Sequence, residues 1–203
     1  MNSPRSKLIV ALDVADRQSA LHAVRQLSGH VGYFKIGLEL FTREGPRLVE
    51  EIRDRGEKIF LDLKLHDIPN TVAGAMRSAC KLGIDMITVH ASGGSAMLEA
   101  ASKEAESAVS PPVVLAVTAL TSLSEADMRR FGVQGTMEDW VRRLAETARE
   151  AGIHGLVRRR LRMPLAKRSD GRSKHKPDPI VKTGLPVVKR RPLRILPDTR
   201  NKF

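Results

Sequence analysis

Short aliphatic runs alternate along the chain with longer stretches whose apolar residues recur every three or four positions. The runs are Leu8–Leu12, Tyr33–Gly37, Lys58–Leu63, Met86–His90, Val113–Thr118 and the weaker Gly155–Val157. Their starts lie 25, 25, 28, 27 and 42 residues apart. Between them, Asp16–Leu27 places Ala20, Leu21, Val24 and Leu27 on one helical face, and Gly45–Arg55 does the same with Leu48, Val49 and Ile52. Thr71–Leu82, Ser95–Ala105 and Met137–Ala151 also read as helices. Such alternation with short connections predicts βαβ units and a parallel sheet. A solenoid would share the period near 25 but would repeat a side-chain motif, and none recurs.

The strand ends separate two α/β architectures. A dinucleotide-binding fold would carry G-x-G-x-x-G in its first turn, where this chain has Leu12-Asp13-Val14-Ala15-Asp16. Successive strands instead end in polar or charged residues: Asp13, Lys35, Asp62 with Lys64, His90 and Thr118. A (β/α)8 TIM-type barrel gathers such residues at the C-terminal mouth of its strands, and this is the fold expected. Asp62 and Lys64 are two apart and share a strand face, opposite Leu61, Leu63 and Leu65. Lys35 lies inside the apolar run Phe34-Lys35-Ile36. Charges enter strands when paired or used, so two lysines and neighbouring aspartates are expected to meet at one pocket. Beyond the strand, Pro69 disfavours helix at Ile68 and leaves Asn70 or Thr71 to cap the next helix. That reading puts Asp67 and Thr71 on a loop at the active face.

Composition divides the chain of 203 residues in two. Residues 158–203 hold 16 of the 35 Lys and Arg but 3 of the 23 Asp and Glu, a net of +13. Residues 1–157 are left with 19 basic and 20 acidic side chains. The formal charge of +12 therefore belongs to the tail, which also carries 6 of the 11 prolines. We read residues 1–157 as a partial barrel of about six βα units. Residues 158–203 read as a basic Pro/Arg-rich segment, disordered or translated out of frame. No apolar run approaches a membrane span, and the start lacks the apolar stretch of a secretory signal. The single cysteine, Cys80, offers no disulfide framework and suits a reducing cytoplasm. No His/Cys cluster has zinc-ligand spacing. Cys80, Trp140 and Phe131 read as packing residues, His66 and His90 as residues that orient loops, and Gly93-Gly94 as tight packing under the mouth.

Ala11-Leu12-Asp13, Phe34-Lys35-Ile36-Gly37 and above all Phe60-Leu61-Asp62-Leu63-Lys64-Leu65-His66-Asp67-Ile68-Pro69-Asn70-Thr71 resemble orotidine 5′-phosphate decarboxylase of the bacterial type. Val89-His90-Ala91-Ser92-Gly93-Gly94 and Ala116-Val117-Thr118-Ala119-Leu120-Thr121-Ser122 continue the match, which covers about residues 7–157. The resemblance implies decarboxylation of orotidine 5′-phosphate to UMP in pyrimidine synthesis, with no metal or organic cofactor. It makes Lys64 the acid that protonates C6 and sets Asp62 beside the substrate carboxylate. Lys35 would hold Asp62 and a ribose hydroxyl, and Asp13 the other hydroxyl. Asp67 and Thr71 would reach a neighbouring subunit's site in a homodimer, while Thr121 and Ser122 bind substrate. A sister group shares Asp-x-Lys-x-x-Asp and acts on sugar phosphates with magnesium; Ile68-Pro69-Asn70-Thr71 argues against it.

The motif resemblance stops after Val157. The family's Thr-Pro-Gly-Ile-Arg and Val-Gly-Arg-Pro segments, which grip phosphate after strands seven and eight, have no counterpart, and Val187–Pro192 matches only by coincidence. Little or no turnover is expected of such a chain, because phosphate binding energy normally reaches the transition state. Six strands would also leave two unpaired edges. The competing expectation is an inactive truncated barrel whose basic tail makes nonspecific nucleic-acid or partner contacts; nucleic-acid binding is disfavoured.

Overall fold

A residue pattern that alternates along each strand needs both sheet faces covered, and the fold supplies a different cover for each. The computed structural model describes residues 8–157. Six parallel strands, β1 (Ile9–Ala11), β2 (Tyr33–Gly37), β3 (Ile59–Leu65), β4 (Met86–His90), β5 (Val113–Val117) and β6 (Gly155–Val157), pair strictly in chain order. Over the described residues the sheet curls as part of a TIM-type α/β barrel with helices outside, the architecture expected of residues 1–157. Expectations for residues 158–203, including disorder and the loss of strands seven and eight, lie outside the described residues.

The helices are α1 (Arg17–Leu27), α2 (Leu38–Glu44), α3 (Pro46–Arg53), α4 (Pro69–Lys81), α5 (Ser95–Glu106), α6 (Glu125–Arg130) and α7 (Met137–Glu150), with a 3₁₀ turn at Ala91–Gly93. The apolar stripes read from the sequence face the core: Ala20, Leu21 and Val24 are buried on α1 with Leu27 half-buried beside them, and Leu48, Val49 and Ile52 are buried on α3. They pack on the outer sheet face, on Val10, Phe34, Ile36, Leu61, Ile87, Val89 and Val114. Inside the curl, Phe60, Met86 and Leu115 form a separate apolar layer with Ile9, Tyr33, Val113 and Val157. That layer floors the barrel and leaves the C-terminal ends of the strands for polar groups. No helix among the described residues is long and apolar enough to cross a membrane.

Three local features differ from the sequence reading or add to it. First, α4 begins at Pro69, with Ile68 as the cap residue in extended conformation and no side-chain cap bond. Asn70 and Thr71 therefore lie inside the first turn, because proline's fixed φ suits the first helical position. Second, α2 and α6 were not legible; each is short, and α2 buries only Leu40. Third, Phe131 is 73% exposed and is no packing residue, whereas Trp140 does pack against the core. Of Gly93-Gly94, read as tight packing, only Gly93 is crowded: a Cβ there would collide with the Met97 side chain, whereas one at Gly94, at φ +85°, would meet open space.

Candidate active site

Inward-facing positions just above the apolar floor carry the charged residues. Lys35 is 9% exposed and Asp62 4%, so neither charge is freely hydrated. Asp62 Oδ1 lies 2.9 Å from Lys64 Nζ, and Asp62 Oδ2 lies 3.7 Å from Lys35 Nζ. Lys35 Nζ also stands 3.5 Å from Asp13 Oδ1, on a largely exposed carboxylate past β1. Charges thus alternate Asp13, Lys35, Asp62, Lys64 across three adjacent strand ends. Burial pushes the Asp62 carboxyl up. The hydrogen bond and charge of Lys64, then the charge of Lys35 and the Thr88 hydroxyl, outweigh it and hold the group below the ordinary carboxylate value.

The sequence reading of Asp62 and Lys64 as same-face neighbours reaches the right pairing through an incomplete geometry, since β3 is not regular there. Leu61 pairs with Ile87 and Leu65 with Val89, so three residues of β3 stand opposite Thr88 alone. Lys64 has φ +56°, the single positive value outside glycine among the described residues. Its backbone N–H donates to Thr88 Oγ1 at 2.9 Å, and that hydroxyl donates to Asp62 Oδ1 at 2.9 Å. Thr88 is fully buried and escaped the sequence reading. In Met-Ile-Thr-Val-His a threonine looks like any strand former, and only its inward phase beside the Asp-x-Lys strand could have marked it.

The remaining expected residues sit around the mouth. Asp67 and Thr71 are exposed on the segment after β3, and Asp67 Oδ1 accepts the N–H of Ile68 at 2.6 Å. Thr121 and Ser122 are exposed after β5. His66 and His90 lie with ring centroids 5.2 Å apart, and burial, then the charges of His66 and Lys64, lower the His90 imidazole from its ordinary value. Cys80 packs against the core, with burial raising its thiol.

The family model described as orotidine 5′-phosphate decarboxylase / HUMPS matches residues 6–191. The chain belongs to the orotidine 5′-phosphate decarboxylase / HUMPS family. That match runs further than the motifs, which end near Val157. Among named relatives, orotidine 5′-phosphate decarboxylase of Syntrophotalea carbinolica is 49% identical over 173 residues, covering 83% of this chain and 71% of that protein. The Dichelobacter nodosus orotidine 5′-phosphate decarboxylase is 48% identical over 164 residues, 81% of this chain and 72% of the relative. A solved orotidine 5′-phosphate decarboxylase from Lactobacillus acidophilus superposes with a TM-score of 0.67 at 38% identity, covering 74% of this chain and 70% of that one. An uncharacterized conserved protein from Geobacillus kaustophilus aligns at TM-score 0.67 and 37% identity, over 73% and 72% of the two chains. The decarboxylases of this family are carboxy-lyases, which cleave a carbon–carbon bond.

Proposed function

We propose that the cluster decarboxylates orotidine 5′-phosphate to UMP, with Lys64 as the proton donor. The observation that carries this reading is an ammonium held 2.9 Å from a buried carboxylate at the mouth of the barrel. The C6–carboxylate bond breaks heterolytically and carbon dioxide leaves. The electron pair stays on C6, and a proton moves from Lys64 Nζ to that carbon. The amine left behind regains its proton from water. A fixed cation beside the developing negative charge stabilises the transition state without reorganising at the moment of reaction. Asp62 holds that cation and meets the substrate carboxylate with like charge. Lys35 and Asp13 take the ribose hydroxyls, and Thr121 and Ser122 the pyrimidine edge. Asp67 and Thr71, exposed after β3, complete the site of a second copy in a homodimer. Every step uses groups of the chain itself, with no metal or organic cofactor, in the cytoplasm.

In this chain the reaction is impaired. Residues 158–203 contain neither a Gly-Ile-Arg nor a Gly-Arg-Pro segment to hold the phosphate. Two measurements test the two statements separately. UMP should raise the melting temperature, and Lys35→Ala or Asp62→Asn should abolish the shift. No shift in the wild-type chain, with soluble aggregate on gel filtration, refutes the assembled site and favours an inactive scaffold. Release of labelled carbon dioxide from carboxyl-labelled orotidine 5′-phosphate should stay close to a Lys64→Ala control. Robust Lys64-dependent release refutes the impairment and upholds the chemistry.

A further inference from the structure

We infer that Thr88 is a positioning residue for the proton donor: its hydroxyl, set between the Lys64 backbone N–H and the Asp62 carboxylate, holds the β3 bulge in the conformation that aims the Lys64 ammonium into the cluster. This deepens the decarboxylase reading and rests on it for what Lys64 protonates.

Three β3 residues opposite one β4 residue cannot all find ladder partners, and the Lys64 N–H is satisfied by a side chain instead. A left-handed conformation is costly for an L-residue and persists only where surroundings over-determine it. Thr88 supplies that determination from a fully buried position on the neighbouring strand. A hydroxyl has one proton. Because Thr88 Oγ1 accepts from Lys64, its own proton goes to Asp62 Oδ1, the oxygen that also receives Lys64 Nζ. The four groups close a ring: Lys64 backbone, Thr88 hydroxyl, Asp62 carboxylate, Lys64 ammonium. Both ends of Lys64 are thereby tied to one carboxylate oxygen, which fixes where the ammonium points. Among the described residues, the ionisable groups around Asp62 include Lys35 from β2, Lys64 from β3 and His90 from β4, with Asp13 beyond Lys35 and His66 beside His90.

The experiment compares Thr88→Val, which keeps the shape and loses the hydroxyl, with Thr88→Ser, which keeps the hydroxyl, in the full chain. Amide exchange is followed by NMR at Lys64 and at the β4 neighbours Ile87 and Val89, and the Asp62 carboxyl carbon is titrated. In Thr88→Val the Lys64 amide should exchange at least about tenfold faster while Ile87 and Val89 change less than about twofold. The Asp62 titration should move upward, and Thr88→Ser should restore both. Unchanged Lys64 exchange and Asp62 titration in Thr88→Val, or no restoration by serine, overturns the inference. If valine prevents folding, Thr88→Ala against Thr88→Ser makes the same comparison. None of these readouts uses substrate, so a chain that fails the UMP test refutes the decarboxylase reading and leaves this one standing or falling by itself.

Discussion

Neutralising Asp62 removes the one carboxylate that both lysines share inside the barrel. At 2.9 and 3.7 Å, with an effective dielectric of about 20, each ammonium contact gives roughly 4–6 kcal/mol of gross Coulomb attraction. Most of that offsets desolvation of the three groups. The contact from Asp13 cannot stand in, because that side chain is 77% exposed and such pairs contribute below about 1 kcal/mol. Asp62→Asn preserves shape and the oxygen that faces Thr88 and Lys64, removes the charge, and turns an amide donor toward the Lys35 ammonium. Breaking a buried pair from one side costs about 3–5 kcal/mol, and at 2–4 °C per kcal/mol for a domain of this size the melting temperature should fall by roughly 6–20 °C. A double-mutant cycle with Lys35→Met makes the test sharp. In the Asp62→Asn background Lys35→Met should be neutral or stabilising, since it removes an ammonium that has lost its principal partner. The assay is urea unfolding of the four proteins at pH 7, followed by circular dichroism. An Asp62→Asn cost under about 1 kcal/mol, additive with Lys35→Met, would mean that each charge is separately hydrated and would refute the converging cluster.

Acid should act through the same group. The folded Asp62 carboxyl lies below its unfolded value of about 3.9, so its contribution is fully present above that pH and is lost as pH falls through the folded value. Urea midpoints at pH 5, 4 and 3 should therefore drop more steeply for the wild type than for Asp62→Asn, and parallel curves would count against the shift. Replacements of Lys64 should invert a familiar order. Glycine in a strand ordinarily costs about 0.5–1 kcal/mol relative to alanine, yet at φ +56° alanine keeps the left-handed strain. Lys64→Gly should unfold at higher urea than Lys64→Ala by an amount equivalent to about 1 kcal/mol; the reverse order would show a relaxed β3.

Much of the molecule is legible in its sequence, for reasons that are local. The runs at Tyr33–Gly37, Met86–His90 and Gly155–Val157 became β2, β4 and β6 with the same limits. A β-branched run between two amphipathic stretches carries its own period, and the period tells which residues face the helices. The charges that the runs contained, Lys35, Asp62 and Lys64, were conspicuous because an apolar strand tolerates them only in company. Even their meeting was foreseeable, as parallel strands in chain order bring their C-terminal ends to one rim.

What the sequence could not decide is how β3 departs from a strand. The bulge depends on register against β4, a relation between segments more than twenty residues apart, and nothing in Leu61-Asp62-Leu63-Lys64-Leu65 announces it. Thr88 was invisible for the same reason: a buried hydroxyl has meaning only through the two groups it touches, and both belong to another strand. The start of α4 at Pro69 and the short helices α2 and α6 were likewise settled by packing, because a few residues carry too little periodicity to outvote their surroundings. The chain therefore specified which charges would be present and on which face, through patterns within each segment. The tertiary fold alone decided their distances and the left-handed turn at Lys64, because strand pairing, not local preference, chooses the backbone there.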